Sequence, residues 1–215
     1  MNRRTLILGI AAGALVGFGG AAFFATNNKT EKYAPALSGG TPLVRPYSPT
    51  FGPKDAPVTI VEFFDPACEA CRAFHPIVKE IMGVFPGKTR LVLRYAAFHA
   101  PSAEAIGLLE AARMQNVFEP VLERLYETQA LWAPHGRSAT NVWEVVQNTG
   151  LDLEAARKQA KMPDVVAVLN QEAADIRAIG VSKTPTFFVN GKPLTKFGPQ
   201  PLFDLVSSEM KAQGK

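Results

Sequence analysis

The chain contains two cysteines, and both fall in one short run, Cys68-Glu69-Ala70-Cys71. Two intervening residues let the sulfurs approach within one helical turn, so the pair can close a disulfide. So small a ring removes little loop-closure entropy, which makes a purely structural staple a poor account of it. The run lies where an apolar strand gives way to a helix. Cys68 would cap or begin that helix, where unpaired N–H groups and the helix dipole stabilise a thiolate. Cys71 sits one turn further in and is less exposed. This asymmetry assigns Cys68 as the attacking sulfur and Cys71 as the one that resolves the mixed disulfide.

Competing uses of the sulfurs are narrower. A zinc site needs two further ligands, and His75, His99 and His135 are the only histidines. His75, four residues after Cys71, could face it on the helix, but no metal site is expected from this set. Two thiolates do suffice for Cu(I), so a Cu(I)-handling module built on the same two cysteines is the alternative. Glu62 also stands out as the one acid in an otherwise apolar strand, six residues before Cys68. A buried strand carries such a charge only when it is paired or functional, and burial should raise its pKa. Glu69 lies between the cysteines, and a carboxylate there should disfavour the Cys68 thiolate and lower the oxidising power of the pair.

The elements that must position these residues follow from periodicity. Val58 to Phe64 is β-branched, aromatic and continuously apolar, as in a buried strand, and Asp65-Pro66 ends it. A helix from about Cys68 to Val84 carries a stripe of Phe74, Ile77, Val78 and Ile81. Thr89 to Tyr95 is a second strand, giving a βαβ unit with parallel strands. Residues 102–179 read as helical throughout, in segments Ala103–Gln115, Val117–Leu131, Asn141–Asn148, Leu153–Lys161 and Asp164–Ile179. Pro134-His135-Gly136, Thr149-Gly150 and Met162-Pro163 supply the turns. Trp132 and Trp143 belong to the packing of this block. Thr186 to Val189 is a strand, Asn190-Gly191 a hairpin turn, Lys192 to Thr195 the returning strand and Gln200 to Ala212 the closing helix. The expected fold class is α/β: a thioredoxin arrangement with a helical insertion, at about 102–179, between the βαβ and ββα halves.

Charge and composition place the chain. It has 215 residues, 47% of them hydrophobic, and a formal charge of +4. Arg3 and Arg4 account for two of those charges, and the remainder is too small to argue for nucleic acid. From Leu6 to Ala25 the sequence is almost wholly apolar, long enough to span a bilayer. Residues 1–26 therefore read as a signal peptide or a signal-anchor transmembrane helix, with the body exported because Arg3 and Arg4 stay inside. Residues 27–50 form a Pro-rich tether, broken by Pro35, Pro42, Pro46 and Pro49. Residues 51–215 are the domain. Leu43 to Phe51 could add a short edge strand.

Two motifs carry a family resemblance. Val61-Glu62-Phe63-Phe64-Asp65-Pro66-Ala67-Cys68-Glu69-Ala70-Cys71 resembles the active-site segment of DsbA-like thiol:disulfide oxidoreductases, and Phe51 to Ile60 resembles the run before it. Lys183-Thr184-Pro185-Thr186-Phe187-Phe188-Val189-Asn190-Gly191 resembles the cis-proline loop of thioredoxin-fold proteins. The resemblance implies that Pro185 is cis and packs beside the disulfide, and that the Thr184 backbone pairs with a substrate chain. It implies that Glu62 lies beneath the disulfide as the proton acceptor of Cys71, with Arg94 in the place of a basic partner. Catalytic candidates are thus Cys68, Cys71, Pro185 and Glu62, and the substrate-facing candidates are Thr184, Glu69 and Ala70. Glu69-Ala70 departs from the Pro-His of the DsbA pattern, which leaves both directions of electron flow open.

The expectation is an exported, periplasmic thiol:disulfide oxidoreductase that supports oxidative folding and needs no cofactor. Its partners would be cysteine-containing extracytoplasmic proteins and a DsbB-like or DsbD-like membrane redox protein. Beside the Cu(I) module, the alternative is a periplasmic disulfide reductase or isomerase.

Overall fold

The computed structural model describes residues 43–134 and 138–214. The apolar segment at 1–26, the tether as far as residue 42, and His135 lie outside them. Among the described residues no helix is long and apolar enough to cross a membrane.

A five-stranded sheet forms the centre: β1 (Thr50–Phe51), β2 (Val58–Phe64), β3 (Thr89–Tyr95), β4 (Thr186–Val189) and β5 (Lys192–Pro193), in the order β1-β3-β2-β4-β5. β2 and β3 are parallel, as the βαβ reading requires, and pair from Val58 with Thr89 to Phe64 with Tyr95. β4 runs antiparallel to β2 on its other side. All seven residues of β2 are buried, which is what its unbroken apolar sequence demands of a strand covered on both faces. Gly52 lies between β1 and β2 at φ +90, where a Cβ would stand 2.5 Å from the Thr89 carbonyl. Only glycine fits that conformation and that approach.

The helices are α1 (Glu69–Val84), α2 (Ser102–Met114), α3 (Phe118–Glu127), α4 (Gln129–Trp132), α5 (Val142–Val145), α6 (Leu153–Gln159), α7 (Pro163–Ile179) and α8 (Pro199–Gln213). One face of the sheet, with Ile60, Phe64, Leu91, Leu93, Tyr95 and Phe187, packs against α1, α8 and most of the insertion, where α2 is the buried centre. The other face, with Val61, Phe63, Val92 and Phe188, packs against Ile176 of α7 and against Leu43 and Val44.

Several boundaries differ from the sequence reading, among them the following. The helix expected over Val117–Leu131 breaks at Thr128, whose hydroxyl donates to the Arg124 carbonyl at 2.6 Å and which has left helical geometry. Pro163, read as part of a turn, is the first residue of α7, a position where its missing N–H costs nothing. β5 is confined to Lys192–Pro193, although the Leu194 N–H still donates to the Phe187 carbonyl at 2.9 Å. The edge strand expected within 43–51 shrinks to β1, paired antiparallel with β3. The hairpin turn has positive φ at both Asn190 and Gly191, as an Asn-Gly two-residue connection requires.

Arg94 contradicts the place expected for it. In a sheet, neighbouring positions along a strand face opposite sides, and paired positions share a side. Glu62 pairs with Leu93 whereas Arg94 pairs with Phe63, so the acid and the guanidinium lie on opposite faces. Arg94 sits over the Phe63 ring at 5.0 Å. It donates to Glu172 at 2.9 Å, to Asp175 at 2.6 Å and to the Leu43 carbonyl at 2.7 Å. Asp175 also receives Arg45 at 2.6 Å. This cluster ties residues 43–45 and α7 to the sheet; it is not the proton partner of Glu62.

Candidate active site

Cys68 is the N-cap of α1, in extended geometry, and Cys71 lies in the first turn. Both are free thiols; Cys71 is completely buried, whereas Cys68 retains 8% exposure. Burial places Cys68 at the surface edge of the site and Cys71 behind it. A hydrogen bond from the Cys71 thiol holds Cys68 well below the usual thiol range, at about 5, against the opposing effect of burial. The Thr184 side chain and the Cys71 and Ala70 amides push the same way. These amides are unpaired donors of a helix start, the physical source of thiolate stability expected there. Cys71 is pushed strongly upward, first by burial, then by its bond to Cys68, then by the nearby Glu62. One sulfur is therefore a thiolate at neutral pH and the other a thiol.

Glu69 does not reverse the Cys68 shift. It is exposed, in the first turn of α1, and the Cys68 thiol is displaced downward, not upward. Ala70 is partly buried beside it.

The second motif stands against the first. The Thr184–Pro185 peptide bond is cis, and the Cys68 thiol donates to the Thr184 carbonyl at 3.5 Å. Pro185 is buried and leads directly into β4, which is antiparallel to the strand that delivers Cys68.

Glu62 is 3% exposed, on the α1 side of the sheet. Burial, reinforced by the Cys68 sulfur, raises its carboxyl to about 8. It thus carries a proton at neutral pH, close enough to both sulfurs to feel their charge.

Three residues at the site were not singled out in the sequence. Asp65 ends β2, and its N–H donates to Cys71 Sγ at 3.4 Å. Its carboxylate accepts from the Ala67 N–H at 2.8 Å, the Phe98 N–H at 2.8 Å and the His99 N–H at 3.1 Å. It also bonds His99 Nδ1 at 2.8 Å and the Ser102 hydroxyl. A completely buried carboxylate is tolerated because those donors replace water. The other two come from the insertion. Tyr126 of α3 is buried and its phenol is pushed upward, first by burial and then by Glu62, Cys71, Cys68 and Asp65. Gln129, at the start of α4, reaches the turn around Cys68. The only sequence sign of Asp65 is an acid closing an apolar strand; Tyr126 and Gln129 give none.

His75 turns away from the metal role considered for it. Its ring packs against Tyr126 at 5.2 Å, and burial lowers its pKa. Among the described residues no group of three or more His, Cys, Asp or Glu side chains could hold a metal ion.

Comparison with known proteins follows the same lines. Residues 45–201 match the family described as Thioredoxin. The chain is 27% identical over 204 residues to "Disulfide bond formation protein D" of Bacillus subtilis (strain 168), covering 87% of each. It is 29% identical over 143 residues to "Na(+)/H(+) antiporter NhaA" of Herminiimonas arsenicoxydans, covering 66% of this chain but only 22% of that protein. Among solved structures, a thioredoxin-like oxidoreductase from Silicibacter pomeroyi DSS-3 superimposes with a TM-score of 0.66 at 26% identity. That match covers 78% of this chain and 94% of the other.

Proposed function

The chain belongs to the thioredoxin family of oxidoreductases, and on that premise we propose that it is an exported thiol:disulfide oxidoreductase that donates disulfides to cysteine-containing proteins outside the cytoplasm. The observation that carries this is the opposite displacement of two adjacent thiols, Cys68 downward and Cys71 upward, beside the Thr184 carbonyl. Stabilising the Cys68 thiolate stabilises the reduced pair, and a pair whose reduced form is stable is a strong oxidant. Export is supported by the basic Arg3-Arg4 and the apolar run that follows.

In the donating direction, a substrate thiolate attacks Cys68 Sγ of the Cys68–Cys71 disulfide. The Cys68–Cys71 bond breaks as the mixed disulfide forms, and Cys71 leaves as a thiolate. Glu62 supplies the proton that this buried sulfur needs. A second substrate thiolate then attacks the substrate sulfur of the mixed disulfide and releases Cys68 as the thiolate. The substrate has lost two electrons and the pair has gained them. A quinone-linked membrane partner then takes the two electrons and reoxidises the pair; in the opposite, reducing direction a membrane electron donor would take its place. Thr184 offers its carbonyl to the extended substrate chain, with Pro185 fixing its approach, and Glu69 and Ala70 border the entry to Cys68.

The test is exchange with a reduced model peptide, together with the reduction potential of the pair in glutathione buffers. Cys71→Ser should accumulate a mixed disulfide through Cys68, Cys68→Ser should abolish exchange, and the potential should lie above about −200 mV. A potential near about −270 mV, in the thioredoxin range, would reverse the direction and favour the reductase. Bound copper with exchange unimpaired in Cys68→Ser would overturn the redox role.

A further inference from the structure

The helical insertion reaches the redox pair through one side chain. Gln129 is 1% exposed, and its Nε2 donates to the Pro66 carbonyl at 2.8 Å and to the Cys68 carbonyl at 3.1 Å. Both hydrogens of the amide are thus spent on the two carbonyls that flank Ala67, across more than sixty residues of sequence. The break at Thr128 makes this possible: by ending α3 there, it starts α4 with Gln129 turned into the protein. Tyr126, three residues earlier, lies on the same side and faces the same cluster of Glu62, Cys71, Cys68 and Asp65. Gln129 Oε1 is buried and has no hydrogen-bond partner among the described residues. A buried orphan acceptor costs stability, and an apolar side chain of equal size would avoid that cost. The amide is thus poorly explained as packing and well explained by its two donors.

The Cys68 carbonyl also accepts the Arg72 N–H at 3.1 Å, the first bond of α1, and the Cys68 N–H donates to the Asp65 carbonyl at 3.0 Å. The turn is therefore held at Asp65, Pro66 and Cys68 at once. We propose that Gln129 is a positioning residue of the redox pair, holding the Pro66 and Cys68 carbonyls so that the Ala70 and Cys71 amides stay directed at the Cys68 sulfur. The insertion then tunes the thiolate and is more than a cover over the sheet. With the carbonyls released, the turn rotates and the helix-start donors lose their alignment on sulfur, so the thiolate is less favoured.

The inference rests on the redox reading of the pair, but its measurement needs no substrate. Gln129→Met keeps the length and removes both donors; Gln129→Leu removes them too, and neither adds a charge beside Cys68. The thiolate absorbance of Cys68 at 240 nm is followed against pH in the reduced full chain, with the rate of iodoacetamide alkylation alongside. Gln129→Met should raise the midpoint by a pH unit or more, slowing alkylation near pH 5 about fivefold or more while leaving the rate at pH 9 unchanged. Gln129→Leu, which also adds no charge, should raise it as far, and it decides the matter if the Met variant does not fold. A lowered thermal midpoint with the Cys68 titration unmoved would reduce Gln129 to a structural residue and overturn the proposal. A wild-type protein that exchanges no disulfides, yet whose Cys68 titration responds to Gln129, would instead sink the functional reading and leave this one standing.

Discussion

Replacing Glu62 with Gln should make the protein both more stable at neutral pH and slower in exchange. Glu62 is buried in the sheet, and burial raises its carboxyl from 4.5 to about 8. The unfolded chain loses this proton near pH 4.5, whereas the folded chain keeps it until about 8. Whatever stability the group contributes is therefore fully present below pH 4.5 and is lost as the pH rises to 8, beyond which the loss stops growing. At about 1.4 kcal/mol per pH unit, the loss across that window is roughly 3–5 kcal/mol, a large share of a domain's total stability. Gln has the same shape and does not titrate. Denaturant unfolding of both oxidised proteins at pH 4.5 and pH 8 isolates the effect, because every other group titrates alike in the two and the cysteines do not titrate at all; the disulfide removes the Cys68 charge, the lesser cause of the shift, and leaves burial. The advantage of Glu62→Gln should be small at pH 4.5 and reach about 3 kcal/mol or more at pH 8. Its exchange rate at pH 7 should fall about tenfold or more, the cost of losing a positioned proton carrier. An advantage that does not grow with pH, or a variant less stable at pH 8, refutes the argument that this carboxyl is held neutral by burial.

Two further outcomes follow from the same geometry. The Cys68 thiolate should titrate near pH 5. Cys71→Ala should raise that midpoint by roughly 1–2 units, the value of one charge-assisted hydrogen bond, whereas Cys71→Ser keeps a donor and should move it less; equal midpoints in all three would assign the thiolate to the helix-start amides alone. Arg94→Met takes the guanidinium from buried Glu172 and leaves Asp175 to Arg45 and Gln171, and it should cost about 3–5 kcal/mol in denaturant unfolding. It should leave the Cys68 titration in place, because Arg94 lies on the opposite face of the sheet; a shifted titration would restore it as a partner of the site.

What could be read from the sequence was whatever period and local chemistry encode. β2, β3 and β4 lie where their apolar runs place them, and α1 begins at Cys68 as the strand-to-helix junction requires. The isolated acid at Glu62 was visible because it interrupts an apolar strand. Arg94 misled because the resemblance supplied its place in the second strand, and along the pleat one residue changes the face. Asp65 resisted reading for a different reason. Its donors come from Ala67, Phe98, His99 and Ser102, so its role exists only once the loop after β3 has folded back over the end of β2. Gln129 is more remote still, and nothing in its own neighbourhood announces that it will meet Pro66 and Cys68.

Glu69 shows how the same distinction bears on the chemistry. Adjacency in sequence suggested that its charge would weigh on Cys68, yet an exposed carboxylate is screened by water, whereas the groups that face the sulfur act at short range in a nearly dry setting. The Cys71 thiol, the Thr184 side chain and two amides all favour the thiolate. Behind them the buried groups stay neutral, with Cys71 and Glu62 both held in their protonated forms. The reduced site thus concentrates its negative charge on the one sulfur with donors around it and leaves none on the two groups without them. Forming the disulfide gives up that favourable placement. On the proposed reading, it is this difference between the two redox states, and not the identity of the residues between the cysteines, that drives electrons from the substrate into the pair.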